Sequence, residues 1–170
     1  MIDEKIPRWY AVHTRYKSEK IVQRMLKQKE IEAYLPLQKR FRRHGAKMLM
    51  SEIPLISCYI FVKITKVQYV KVLETEFVVG FVRFAKDIYP IPDAEFTMMQ
   101  RIVSGETDVL VEKTTFYEGE IVEIATGNLA GLKGKLVEIE GKNRVLVELE
   151  TIGFTLQISI EKQNLLRIIS

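Results

Sequence analysis

Apolar and polar positions alternate with period two over Arg8–Thr14, predicting a first strand with Trp9, Ala11 and His13 on one face and Tyr10 and Val12 on the other. The period then changes. Ile21, Val22, Met25 and Leu26 recur at helical spacing opposite Lys20, Gln23, Arg24 and Lys27, which predicts an amphipathic helix from Glu19 to about Lys29. Ser18 stands at its expected N-cap, and Glu19 suits the positive end of the helix dipole. Residues 33–41 and 48–56 read as two extended arms, with 42–47 around Gly45 as the hairpin tip. Tyr59–Ile64 is aromatic and β-branched without a breaker, hence a strand. A short helix over 67–74, a strand over 78–84 and a helix opening at Pro92-Asp93 and stopped by Gly105 complete the pattern. This order predicts an α+β fold, a helix-backed antiparallel sheet.

Residues 107–116 show no clear period and read as a linker. Beyond them the chain turns β-rich. Runs at 121–124, 134–140, 144–150 and 154–159, divided by Gly127, Gly131, Gly141 and Gly153, predict a small β-barrel. The expected organisation is a first domain over 1–106, the linker, and a second domain over 117–170.

Composition narrows the class. The chain has 170 residues, nearly half of them apolar, enough for two small packed domains. It has no apolar run of membrane-spanning length, and its charged start does not read as a secretory signal. A single cysteine, Cys58, excludes an internal disulfide and fits a reducing cytoplasm. The net charge of +4 is unevenly spread: residues 1–60 carry 13 Lys/Arg against 6 Asp/Glu, and the rest of the chain is slightly acidic. Such a face suits a phosphate-rich partner, yet a basic surface is equally often merely solvated.

Catalytic chemistry finds no footing. His13 falls in a strand and His44 in the hairpin, and neither has metal-ligand spacing. Cys58 has no histidine motif beside it, and Gly127, Gly131 and Gly134 lack the Lys-Ser/Thr of a phosphate loop. Neither an enzyme nor a bound cofactor or metal is expected.

Two motif sets carry a resemblance. Gly119-Glu120-Ile121-Val122-Glu123-Ile124, followed by Gly127-Asn128-Leu129-Ala130-Gly131-Leu132-Lys133-Gly134, resembles the KOW motif, whose loop glycines allow a tight reversal with positive φ. Trp9-Tyr10-Ala11-Val12, Tyr34-Leu35-Pro36-Leu37, Tyr59-Ile60-Phe61-Val62, Val79-Gly80-Phe81-Val82-Arg83-Phe84 and Ile91-Pro92-Asp93-Ala94-Glu95 resemble, in order, the N-terminal domain of the NusG/RfaH family of transcription elongation factors. One departure stands out: Ile56-Ser57-Cys58 replaces the family's Phe-Pro-Gly before the tyrosine. Together with the basic hairpin, this is similar to the specialised RfaH and UpxY-type antiterminators of capsular polysaccharide operons. The general elongation factor remains an alternative, as does a ribosomal-type KOW protein that binds RNA.

The resemblance implies an N-terminal NusG-like domain followed by an SH3-like KOW barrel, acting as a monomer. It implies that Tyr59 and Phe61, with Leu35, Phe81 and Ile91, line a depression for the clamp helices of the largest RNA polymerase subunit. Spacing alone fits a second reading equally, with Tyr59 and Phe61 as core residues of one strand face. The family further implies non-template DNA as a partner of the basic helix surface, here Arg15, Lys17, Lys20, Arg24 and Lys27. Arg42 and Arg43 of the hairpin are candidates for nucleic acid or for another polymerase surface. The KOW domain is expected to recruit a ribosomal protein, and its β-branched strands favour a permanent barrel over a helical alternative.

Overall fold

The computed structural model describes residues 2–84, 86–105, 109–113, 119–139 and 141–167. The chain divides into two compact units, Met1–Phe96 and Thr97–Ser170.

The first unit is built on a four-stranded antiparallel sheet. Its strands are β1 (Arg8–Thr14), β2 (Glu32–Tyr34), β5 (Tyr59–Ile64) and β6 (Val78–Phe81), in the order β2-β5-β1-β6. Helix α1 (Glu19–Gln28) follows β1, and the short α2 (Tyr69–Leu73) follows β5. The register pairs Tyr10 with Val62, Val12 with Ile60, Ala11 with Phe61 and His13 with Tyr59. Alternation therefore separates two faces. Tyr10, Val12, Ile60, Val62 and Ile64 form a core with Val22 and Leu26 of α1 and Val72 of α2. All eight are wholly buried, the source of most of this unit's hydrophobic stabilisation. Ile21, expected on the buried side of α1, is exposed, while Val22 and Leu26 are the helix residues in the core.

The opposite face carries Trp9, Ala11, His13, Tyr59 and Phe61. It is closed at one end by Phe96, from helix α3 (Asp93–Ser104), whose ring stacks on Trp9 at 3.9 Å between centroids. Phe96 also meets Tyr34 and Phe61 edge-on, at 5.3 and 6.2 Å. A sheet with apolar material on both faces explains why the Tyr59–Ile64 run reads as continuous hydrophobicity rather than alternation.

The expected long arm over 33–41 is split. Leu35 and Pro36 are buried at the break, so Glu32–Tyr34 joins the main sheet as β2. The chain then leaves as β3 (Leu37–His44) and returns as β4 (Lys47–Pro54), a separate two-stranded ribbon. Its turn is only Gly45-Ala46, with Gly45 at φ +61° where a tight hairpin turn calls for glycine. Arg42 and Arg43 are thus strand residues, not tip residues. The strand expected over 78–84 ends at Phe81, followed by an isolated bridge from Phe84 to Asp87.

The second unit is an antiparallel sheet ordered β12-β8-β9-β10-β11-β7. Its strands are β7 (Val109–Lys113), β8 (Glu120–Ile124), β9 (Lys133–Ile139), β10 (Lys142–Leu149), β11 (Phe154–Ser159) and β12 (Leu165–Arg167). Consecutive buried residues Val145, Leu146 and Val147 show that both faces of β10 are covered. Val109–Lys113, expected within the linker, instead pairs with β11, Val111 opposite Leu156. Its alternation of Val109 and Val111 was too short to separate from a non-periodic run. The remaining linker residues 107, 108 and 114–116 lie outside the described residues. The expected class, a helix-backed antiparallel sheet followed by a small all-β unit, is the architecture observed.

Candidate functional site

Five residues were expected to line an apolar depression, and the structure separates them. Phe61 is fully buried beneath Phe96. Leu35 and Phe81 belong to the core on the helix side of the sheet, Phe81 stacking on Tyr69 at 5.0 Å. Ile91 is 4% exposed and donates its backbone N–H to the Trp9 carbonyl at 2.8 Å. All four are buried in this structure, at 0–6% exposure. Only Tyr59 keeps an accessible ring.

Tyr59 does not stand alone. The β1–β5 register sets it opposite His13, with ring centroids 4.3 Å apart, and Tyr34 lies on the same face. All three are half-buried. Burial pushes the His13 imidazole below its usual pKa and the Tyr34 hydroxyl above its own. Burial also raises the Tyr59 hydroxyl, helped by the Cys58 thiol. Near neutral pH the patch is therefore uncharged, suited to apolar and hydrogen-bonding contact rather than ion pairing. His13, Tyr34 and Phe96 were missed by sequence reasoning. Alternation sets His13 with Trp9 and Ala11, but only the strand register shows that this is the Tyr59 face and that the two rings touch.

The loop leading to Tyr59 resolves the departure from the family pattern. Cys58 adopts φ +66°, the left-handed conformation for which glycine is suited. Its N–H donates to Glu19 Oε1 at 2.7 Å, and its carbonyl accepts from the Thr14 N–H at 2.9 Å. Glu19 is 3% exposed, so the first residue of α1 pins the bend that aims Tyr59. Ser18, by contrast, makes no side-chain cap bond. A non-glycine left-handed residue costs about 1–2 kcal/mol, whereas glycine costs roughly 0.5–1 kcal/mol in unfolded-state entropy. Cys58→Gly is therefore expected to stabilise the first unit by about 0.5–1 kcal/mol, read as a melting temperature a few degrees higher. A lower melting temperature would show that the thiol's contacts outweigh the strain.

The basic set falls into the two groups expected. Lys20, Arg24 and Lys27 run along α1, beside a groove whose far wall is Ile31, Glu32 and Ala33. All three cations are exposed. Arg15 and Lys17 precede the helix and are exposed as well, Lys17 at φ +61° with its ammonium 5.2 Å from the Tyr16 ring. Lys20 Nζ also donates to the Glu52 carbonyl at 2.7 Å, tying the helix row to the ribbon that bears Arg42 and Arg43.

In the second unit, Gly127 and Gly131 take φ +77° and +82° in the loop between β8 and β9. The loop closes on itself through Gly131 N–H to the Ile124 carbonyl at 2.8 Å. Gly134 is different: it lies in β9, where a Cβ would meet the Leu146 carbonyl oxygen at 2.4 Å. Its role is close strand approach, not the turn expected of it. Among the described residues no group of three or more His, Cys, Asp or Glu is placed to hold a metal, and no helix is long and apolar enough to cross a membrane.

The structure thus sets a neutral aromatic patch and a basic row on a helix-backed sheet. The chain belongs to the NusG family: residues 7–100, more than half of it, match the family model described as "Transcription termination factor nusG". The fold is similar to a structure described as "Domain interaction in Thermotoga maritima NusG", with a TM-score of 0.62 and 20% identity over 96% of this chain and 98% of that one. A second similarity, to the "MjSpt4:Spt5 complex conformation A", has a TM-score of 0.34 and 16% identity over 94% and 97% of the two chains. Agreement that loose bears on neither fold nor function. No curated protein matches the chain. Members of the family are non-enzymatic transcription factors that act on RNA polymerase, so this chain is a NusG-type transcription factor that works by binding.

Proposed function

We propose that the first unit binds the clamp helices of the largest RNA polymerase subunit through the patch of Tyr59, His13 and Tyr34. The observation carrying this reading is that the one sheet face not covered by α1 and α2 is closed by Phe96 around Trp9 and Phe61 but left accessible at Tyr59. Aromatic rings held rigidly at a sheet surface supply contact area at small entropic cost. A factor that binds the elongating conformation more tightly than the paused one shifts the population toward elongation. The row Arg15, Lys17, Lys20, Arg24 and Lys27 faces the non-template DNA strand, with Arg42 and Arg43 adding nucleic-acid contact. The KOW unit, with its loop at Gly127 and Gly131, recruits a ribosomal protein, and the chain works as a cytoplasmic monomer. The basic ribbon and the Ile56-Ser57-Cys58 lead-in favour an operon-specific antiterminator over a general elongation factor.

Tyr59→Ala tests the carrying claim. Affinity for core polymerase is expected to fall well over tenfold, about 1.4 kcal/mol or more, while the melting temperature moves little because the ring is only half-buried. Undiminished binding by a folded variant would remove the proposed contact.

A further inference from the structure

The β3–β4 ribbon contributes almost nothing to the protein's own core. Phe41, Met48, Leu49, Met50 and Ile53 are 63, 64, 51, 57 and 38% exposed, the densest group of open apolar side chains in the first unit. An isolated two-stranded ribbon is marginal in water, and bare apolar surface on one marks a contact site. Five Lys/Arg and His44 stand on the ribbon against one acid, Glu52, so the complementary partner is a polyanion.

The register sorts these residues. Cross-strand partners share a face, so Phe41 with Met50 and Arg43 with Met48 lie on one side, next to Lys39 and Glu52. The other side carries Arg40 with Ser51, Arg42 with Leu49 and His44 with Lys47. One face is thus an aromatic–thioether platform with its charges nearly balanced, and the other is strongly cationic. Duplex DNA offers phosphates to such a ribbon, but its stacked bases offer nothing to a platform. Unpaired strands offer both, because exposed bases stack on aromatic rings while the backbone tracks positive charge.

We infer that the ribbon is a binding site for unpaired nucleic acid, with Phe41, Met48 and Met50 taking bases and Arg40, Arg42 and Lys47 taking phosphates. This rests on the reading of Arg42 and Arg43 as nucleic-acid contacts, and it adds the platform, the strand state and the division of labour. Lys20, bonded to the Glu52 carbonyl, joins the ribbon's base to the α1 row, so a bound strand passes from one to the other.

The test uses the full chain and a fluorescein-labelled single-stranded DNA oligonucleotide, with the same sequence as RNA and as blunt duplex, followed by anisotropy across a salt series. The single strands are expected to bind at least about tenfold more tightly than the duplex. Phe41→Ala should weaken single-strand binding about tenfold without changing the salt slope, and Phe41→Trp should bind normally with its emission quenched. Arg40→Glu with Arg42→Glu, both on the cationic face, should lower the slope by about two. All these side chains are exposed, so melting temperatures should not move. Loss with the arginine variants but not with Phe41→Ala would overturn the platform while sparing the nucleic-acid reading. No effect of either would overturn both. A Phe41→Ala defect in binding polymerase without nucleic acid would assign the ribbon to a protein surface instead.

Discussion

Phe61→Ala is expected to destabilise the first unit by about 3–5 kcal/mol, the usual cost of emptying a buried aromatic site. Phe61 is wholly buried in the centre strand pair, opposite Ala11, with Tyr34 beside it on β2 and Phe96 over it. Few neighbours can collapse into the space, because Ala11 has no side chain to extend and Phe96 is held against Trp9. Typical domains have about 5–15 kcal/mol of total stability, so this single change removes a large fraction. At about 4–8 °C per kcal/mol for a domain of this size, circular dichroism should show the melting temperature falling by roughly 15 °C or more. Tyr59→Ala should move it far less. The pair therefore separates core from contact on one strand face, two residues apart. A variant at Phe61 that melts normally but fails to bind polymerase would return that residue to the contact surface.

That contrast also shows what the sequence alone could resolve. Alternation over Arg8–Thr14 and Tyr59–Ile64 fixed both strands and set Tyr59 and Phe61 on one face, and the structure keeps both. Exposure along that face was not legible, since it depends on Phe96, more than thirty residues away, landing over one end and not the other. The cost of replacing Phe-Pro-Gly with Ile56-Ser57-Cys58 was legible, but its remedy was not. Glu19 looked like a dipole-favourable helix start, and its hydrogen bond to Cys58 spans 39 residues. The ribbon's strands run closer to the tip than the expected arms, because a run of arginines at 42 and 43 resembles a loop unless strand pairing is known. Cationic side chains on both faces of an exposed ribbon cost nothing locally, so propensity gave no warning. β7 was missed for the opposite reason: its partner β11 lies about forty residues ahead, and only that pairing makes five residues a strand.

Gly134→Ala, in β9, is expected to disrupt the second unit more than substitution of either loop glycine of the KOW motif, Gly127 or Gly131. At Gly127 and Gly131 an added Cβ meets nothing within 4 Å, and the penalty is only that of a left-handed backbone, about 1–2 kcal/mol. At Gly134 the Cβ would come within 2.4 Å of the Leu146 carbonyl oxygen and 2.6 Å of Val145 Cγ1. The Val145 methyl can rotate away, but the carbonyl is main chain of β10. Moving it strains the β9–β10 ladder, whose paired residues begin at Lys135 opposite Leu146. On the other side, Gly134 pairs with Val122 of β8, so the strand cannot retreat that way either. Overpacking alone costs about 1–3 kcal/mol, and loss of backbone bonds adds to it. Nitrogen–proton correlation spectra of the full chain should show collapsed dispersion for residues of β8 to β12, with the resonances of β1, β5 and α1 unchanged. Native dispersion in both units, with a melting shift no larger than that of Gly127→Ala, would mean that β10 yields more easily than the geometry allows. In that case the third glycine of the motif is dispensable to the fold, and its presence would have to come from what the loop contacts.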